Sequence, residues 1–582
     1  MANSRLRKLG SYLRPHWRMV LLGTIALLIV NLLGVYIPLL IKDSIDQLEG
    51  EFSFNQLSRT ALWLLLLSAI MWCFRMYSRT SIFGIGRQVE FGLKQRIFQH
   101  LLTIEPGYFS NNTSGDLINR ATSDVDNIRR LVGFALLSFI NIIFAYAFTL
   151  PVMLKINVRL TILAIAVYPF MLLTVQLFSG KLRRYQEEIQ VKLSDLSELI
   201  QEDMSGMALI RIYAQENQER AAFSQKNQQL LESNLKLAQV RNLLFPVIEG
   251  ISYISLLILL WVGTKAIADG QITVGDFIAL VLFVERLVFP TALLGFTITA
   301  YQQGEISIDR VESVTQAKPK IKNTAKAIIL PSTEIKGAIT ARNLTYTYPG
   351  SNTPALYDLN FEIQPGETVA IVGSIGSGKS TLANAIPRLL NIAEGELFLD
   401  NCDITKLDLE SLRKAIAYVP QDSFLFSTTI KNNIRYGEPL AETAEVIQSA
   451  QQAQIHPEIL TFPQEYDTLV GERGITLSGG QRQRTALARA LLADAKVLIL
   501  DDSLSSVDNE TATKILNSLS PTTAKKTVIF ISHQLSAAAT CDRILVMDQG
   551  KIVQNGTHAT LVQETGLYQS LWQQHRLKEV LN

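Results

Sequence analysis

The chain has 582 residues, too many for a single domain and enough for roughly three or four domain-equivalents. Its formal net charge is only +2, with no long basic run, so nothing in the charge points to a nucleic-acid partner. Three cysteines, Cys73, Cys402 and Cys541, are scattered without ligand spacing, so neither a disulfide framework nor a zinc site follows from them.

The N-terminus, Met1 to Trp17, is basic and runs directly into a span-length apolar stretch with no small-residue cleavage site. It reads as the approach to a retained membrane helix, not as a signal peptide. Crossing the hydrocarbon core takes about 20 apolar residues at about 1.5 Å each. Segments that qualify run from Val20 to Ile41, Thr60 to Phe83, Val132 to Leu154, Leu160 to Phe178, Leu243 to Ala266 and Val274 to Thr299. Any one of them could be a buried helix of a soluble protein, but so many in one half-chain read as a membrane domain in the lipid bilayer. Arg5, Arg7, Lys8, Arg14 and Arg18 precede the first span, which puts the N-terminus in the cytoplasm. The acidic connection from Asp43 to Glu51 then lies outside. The long connections after the second and fourth spans carry Arg87, Lys94, Arg96, Arg120, Arg129 and Arg130, then Lys181, Arg183, Arg184, Arg211, Arg220 and Lys226. Those lie inside, and an even number of spans returns the chain to the cytoplasm.

Both inner stretches are too helical in period for loops. Gln186 to Gln201 and Gln215 to Arg241 are poor in Gly and Pro and rich in Glu, Gln, Lys and Leu, residues that hold helices at exposed positions. Spans two to five are therefore expected to continue into the cytoplasm. They turn near Ser114 to Asp126 and near Gly206 to Glu216. Arg75 in the second span, and Glu285 with Arg286 in the sixth, are ionisable groups at membrane depth. They line a cavity that contacts cargo, are paired internally or, for Arg75, simply reach the inner headgroups. The implied domains are a cytoplasmic segment 1–19, a membrane domain 20–301, a polar linker 302–336, a soluble domain 337–575 and a tail 576–582.

In the soluble half, Thr368 to Val372 is a continuous apolar run that reads as a buried strand, and Leu382 to Leu390 reads as a helix. Between them lies Gly373-Ser374-Ile375-Gly376-Ser377-Gly378-Lys379-Ser380-Thr381, which fits G-x-x-x-x-G-K-[ST]. The glycines let successive backbone N–H groups face an anion, and the helix start adds partial positive charge. Lys379 would reach the β- and γ-phosphates, and the Ser380 hydroxyl would ligate Mg²⁺. A nucleoside triphosphate site follows.

Further on come Leu477-Ser478-Gly479-Gly480-Gln481 and Val497-Leu498-Ile499-Leu500-Asp501. With these motifs in this order the chain resembles an ATP-binding cassette (ABC) half-transporter of the exporter type. The resemblance implies a multi-domain fold: an all-α six-helix transmembrane domain with long cytoplasmic extensions, followed by an α/β P-loop ATP-binding cassette. It implies Tyr348, with Tyr346 as the fallback, for stacking on adenine. Gln421 would join Mg²⁺ and the attacking water, Asp501 would hold Mg²⁺, and His533 would touch the γ-phosphate. Ser478, Gly479, Gly480 and Gln481 would complete the ATP site of a second cassette packed head to tail. Gly471-Glu472-Arg473-Gly474 resembles the exporter loop that meets the membrane helices, and Ser505 to Asp508 sits where the family has its D-loop. The expected cofactors are ATP and Mg²⁺, and the expected activity is ATPase-coupled movement of a small amphipathic substrate across a bacterial inner membrane. An exporter-shaped importer and an ATP-gated or regulatory half are the alternatives.

Ser506 stands in the Ser505 to Asp508 loop where the family more usually has Ala, but another departure bears on the chemistry. Asp502 follows Asp501 where a glutamate normally polarises the attacking water. Its carboxylate is set back by about 1.5 Å, one C–C bond, and misplacement on that scale can cost on the order of 10²-fold in rate. The pattern resembles bacterial heterodimeric exporters with one degenerate site. A heterodimer is the favoured reading, with a homodimer in which Asp502 works slowly as the alternative.

Overall fold

Helices of membrane-crossing length and composition carry the first half of the chain, six among the described residues. The computed structural model describes residues 2–48, 54–331, 333–519 and 526–581. They divide into two units, Met1–Leu102 with Asn112–Ala317, and Thr103–Asn111 with Lys318–Asn582.

In the first unit a short helix, α1 (Ala2–Leu13), precedes α2 (Trp17–Leu48) and α3 (Phe54–Leu101). Then follow α4 (Ser114–Ile156), α5 (Val158–Ser205), α6 (Glu216–Ala268) and α7 (Val274–Thr315). Helices α3, α5 and α6 run well past their apolar stretches, as their Gln-, Glu- and Lys-rich extensions predict. The second turn falls where expected, with Gly206 capping α5 and Met207–Ile212 forming a short helix before α6. The first turn comes earlier than expected. Thr113 caps α4, its side chain accepting from Asp116 N, so Ser114 to Asp126 is already helical and the reversal lies before it. Two π-helical turns, Arg120–Asp124 and Leu131–Ala135, interrupt α4.

The polar stretch after the sixth span is also helical as far as Thr315. Gly304, Ser307, Ile308, Val311 and Val314 are buried, a stripe at i, i+3, i+4, i+7 that packs one face while charges occupy the other. Counting polar residues alone hides that stripe. Tyr12 donates to Glu312 Oε1 at 2.7 Å on this extension. The core of the unit centres on α7, where Phe283, Val284 and Leu287 are fully buried beside Met153 and Leu160.

The second unit is built on two sheets. One is antiparallel, in the order β2 (Leu356–Ile363), β1 (Ile339–Tyr346), β4 (Leu397–Leu399), β5 (Cys402–Asp403). The other runs β10 (Lys551–Gly556), β9 (Arg543–Asp548), β3 (Thr368–Gly373), β8 (Thr527–Ile531), β7 (Val497–Asp501), β6 (Ile416–Val419). In this second sheet only the β10–β9 pair is antiparallel. Side chains alternate across a strand, and both faces of the sheet are covered. Ala370, Val372, Leu498, Leu500, Val528 and Phe530 enter one core, while Val369, Ile371, Val497, Ile499, Ile529 and Ile531 enter the other. Burial on both faces is why these strands read as unbroken apolar runs.

The helix after the phosphate loop, Gly373 to Gly378, is α8 and spans Lys379–Ala385, starting earlier and ending sooner than its apolar pattern suggests. Pro387 offers no N–H, and Arg388 takes a φ of 55°, so the helix cannot run on to Leu390. At the C-terminus, α10 (Leu567–Leu581) continues into the segment read as a tail.

Candidate functional site

Parallel strands of this kind present their C-terminal ends to one edge, where ligands of α/β sheets bind. Gly373 closes β3, Asp501 closes β7, Ser532 and His533 follow β8, and Gln421 follows β6. Residues far apart in sequence thus come to a single edge.

The loop from Gly373 to Gly378 needs its glycines. Gly373 (φ 149°) and Gly378 (φ 96°) lie in the left-handed region. A Cβ at Gly378 would lie 2.4 Å from the Ala355 carbonyl oxygen, and one at Gly373 would overlap that of Met547. Lys379 is buried. Its Nζ donates to Gly373 O at 3.0 Å, Ser374 O at 2.8 Å and Ser377 Oγ at 3.3 Å, so the ammonium ties the loop into a ring. Burial lowers its pKa, opposed by Asp502 and Asp501. Ser374 Oγ donates to Asp548 Oδ1 at 2.5 Å, fastening the loop to β9.

Ser380 Oγ donates to Asp501 Oδ1 at 3.0 Å, and Tyr418 donates to Asp501 Oδ2 at 3.2 Å. Desolvation raises the Asp501 carboxyl above the ordinary carboxylate range, while the Ser380 and Tyr418 donors pull it down. Among the described residues, no three His, Cys, Asp or Glu side chains converge on a protein-only metal site. A hydroxyl beside one carboxylate is instead what Mg²⁺ uses when phosphate oxygens and water fill most of its shell. Asp502 stands on a left-handed backbone (φ 47°), a conformation Asp tolerates better than most residues. Its N–H donates to Ile531 O at 2.8 Å. Its Oδ1 is buried and lacks a hydrogen-bond partner among the described residues, an orphan acceptor that a water or ligand donor would satisfy.

The Leu477-to-Gln481 signature caps and opens a separate helix, α9 (Gly479–Leu492), through a capping box. Ser478 Oγ accepts from Gln481 N at 3.2 Å, and Ser478 N donates to Gln481 Oε1 at 2.9 Å. Gln481 Nε2 donates to Glu458, which also pairs with Arg484 at 2.6 Å. Gly480 packs on Ser506, whose carbonyl oxygen would lie 2.8 Å from an added Cβ. No hydrogen bond among the described residues joins the signature to the phosphate loop.

Of the other expected residues, Tyr348 is half-exposed and meets Thr381 Oγ1 at 3.2 Å through its hydroxyl, with Tyr346 edge-on to its ring at 5.1 Å. Gln421 and His533 are both exposed. Gln421 lines a cleft of about 1080 Å³ with Glu472, Gly479 and Ser506. Sequence reading missed Tyr418, Gln483 and Gln534. Gln483 is buried on α9; its Nε2 donates to Ser505 Oγ at 3.0 Å and its Oε1 accepts from Ser506 N at 2.9 Å. Gln534 Nε2 donates to the carbonyls of Leu504 and Val507. Only the neighbourhood of these residues to motifs marked them, since their partners lie far off in sequence.

Residues 20–291 match the ABC transporter transmembrane region, and residues 356–505 match the ABC transporter domain. The chain is 32% identical over 569 residues to the ATP-dependent lipid A-core flippase of Syntrophus aciditrophicus, covering 98% of this chain and 94% of that protein. It is 30% identical over 577 residues to the multidrug resistance-like ATP-binding protein MdlA of Escherichia coli, covering 99% and 97%. A solved bacterial Atm1-family ABC exporter with ATP bound superposes with a TM-score of 0.76 at 26% identity, covering 96% of this chain and 98% of that one.

Proposed function

As this chain belongs to the ABC transporter family, a multi-pass membrane protein with an ATP-binding domain, we propose that it is one half of an exporter. It would move amphipathic or hydrophobic molecules across a bacterial cytoplasmic membrane, with both termini in the cytoplasm. The observation that carries this reading is the sheet edge, where the Lys379 ring, Ser380, Asp501 and Asp502 meet in a chain that also holds membrane-length helices. Support for the cargo class comes from relatives described as a lipid A-core flippase and a multidrug resistance-like protein.

Lys379 and the loop N–H groups would hold the β- and γ-phosphates of ATP, and Tyr348 would stack on the base. Ser380 and Asp501 would hold Mg²⁺, with Gln421 joining. When bound, that ion would neutralise charge developing on the phosphate oxygens. His533 would touch the γ-phosphate. Asp502 and Gln421 would orient the attacking water. The signature of one cassette, Ser478 to Gln481, faces the phosphate loop of a second, so the working unit is a dimer. ATP binding closes the pair and hydrolysis reopens it. The differential affinity for ATP between closed and open states drives alternating access.

Asp502 is shorter than the family's glutamate, so this chain's own site hydrolyses slowly, and its intact signature serves a partner that carries the glutamate. ATPase measured on the purified chain alone, and with a co-expressed partner half, tests this. The expected result is weak activity alone and at least about tenfold more with the partner. Brisk activity alone that vanishes in Asp502→Asn would replace the heterodimer with a homodimer.

A further inference from the structure

We propose that the membrane unit holds a binding site for the anionic headgroup of an amphiphile, built from Arg75, Arg79 and Arg286. The proposal rests on the exporter reading above and gives the cargo its charge.

A cavity of about 260 Å³ lies among α2, α3, α4 and α7. Its polar lining consists of those three arginines with Asn31, Asn141 and Ser138, and the rest is apolar. Among the described residues no Asp or Glu lines it. Glu285, the neighbour of Arg286 in sequence, is exposed and off the cavity. Successive residues on a helix point about 100° apart, at 3.6 per turn. The readings left open by the sequence therefore separate: Arg75 and Arg286 line one cavity, and Glu285 does not line it.

Arg286 is positioned with care. Its Nη2 donates to Asn31 O at 2.9 Å and Asn31 Oδ1 at 3.0 Å. Asn31 Nδ2 in turn donates to Leu27 O at 2.9 Å and Asn141 Oδ1 at 3.1 Å. Gly34 makes room for the guanidinium, since a Cβ there would lie 2.5 Å from its Cζ. Even so, Arg286 Nη1 is buried with no hydrogen-bond partner among the described residues. Arg75 donates to Met71 Sδ at 3.6 Å, a weak acceptor.

Cations inside a membrane domain are costly and are retained where they face a partner or a wet cavity. Here like charges converge with neutral amides around them and unmet donors among them. Packing does not explain Arg75 and Arg79, which are exposed. A phosphate or carboxylate group supplies what is missing, because the planar guanidinium fork pairs bidentately with two oxygens of either. The volume is a headgroup's worth, below the roughly 300 Å³ at which pockets begin to enclose whole small molecules. A tail would be left to the apolar wall and the lipid.

The test is equilibrium binding to the purified full-length chain, with its partner half where the two co-purify, without nucleotide. The probes are phosphatidic acid and diacylglycerol carrying the same fluorescent acyl chain. Phosphatidic acid is expected to bind at least about tenfold tighter. Arg286→Gln, and separately the Arg75→Gln/Arg79→Gln pair on exposed side chains, are each expected to cost about tenfold or more for phosphatidic acid and nothing for diacylglycerol. Glu285→Gln is expected to change neither. Equal affinities for the two probes, or unchanged phosphatidic acid binding in the exposed-arginine pair, would overturn the site. Inorganic phosphate competing as well as phosphatidic acid would overturn the amphiphile in favour of a free anion. Nucleotide is absent throughout, so a chain that binds the lipid but shows no ATP-driven flux would lose the exporter reading and keep this site. Flux without selective lipid binding would do the reverse.

Discussion

The two units use apolar residues in opposite ways. In the second unit Val369 to Val372 and Val497 to Leu500 are buried almost completely on both faces of a sheet. In the first, Leu62, Trp72 and Trp261 are mostly exposed, Trp261 at 82%. Water drives apolar groups inward in one unit, whereas lipid removes that drive in the other and leaves packing and polar contacts to hold the helices. Polar residues follow the same inversion. Arginine, amide and hydroxyl groups gather in a cavity of the membrane unit, but around the phosphate loop they gather at the edge of the sheet.

That contrast can be broken most forcefully by truncation. Phe530→Ala, in the core of the sheet, is expected to cost about 3–5 kcal/mol in the unfolding transition of the soluble unit. Trp261→Ala is expected to stay within about 0.5 kcal/mol of wild type in detergent. A comparable loss at Trp261 would mean that this face is covered by protein.

Glycines sharpen the comparison at smaller scale. Gly378→Ala places a Cβ against Ala355 on a left-handed backbone, a strain of about 1–3 kcal/mol, and should weaken ATP binding by titration at least about tenfold. Gly84 lies within α3 and a Cβ there meets nothing within 4 Å. Gly84→Ala should leave ATP binding unchanged and stabilise the helix by about 0.5–1 kcal/mol, read as a slightly higher melting temperature.

The smallest effect concerns pH. His558 meets Tyr568 at 2.8 Å and packs edge-on against Trp572. Burial depresses its pKa below the ordinary 6.5. The unfolded chain therefore binds a proton more readily than the folded one between 6.5 and that depressed value, so stability is present above this window and is lost as pH falls through it. A melting series across that range should show the loss in wild type and less of it in His558→Gln.

The strands around the phosphate loop were legible because burial on two faces writes itself as an unbroken apolar run. The spans were legible because hydrocarbon sets a length. The helix beyond the sixth span was not, because its stripe from Gly304 to Val314 uses small and β-branched residues among charges. The first turn lies before the stretch that reads as one, because Thr113 starts a helix that the polar composition of Ser114 to Asp126 disguises. Most of the candidate site could be named from its motifs. The pairing of Tyr418 with Asp501 and of Gln483 with Ser505 depends on strand order and helix docking, which no local pattern records. The left-handed backbone under Asp502 likewise leaves no mark in composition.

If phosphate binding at the sheet edge powers movement across the bilayer, ATP-driven uptake of a labelled amphiphile into inside-out vesicles depends on Lys379. In a transporter carrying Lys379→Ala and its equivalent in every cassette, uptake is expected to fall by about 10²-fold or more from wild type, as when a preorganised donor to developing charge is removed. Uptake at the wild-type rate in that variant would contradict it.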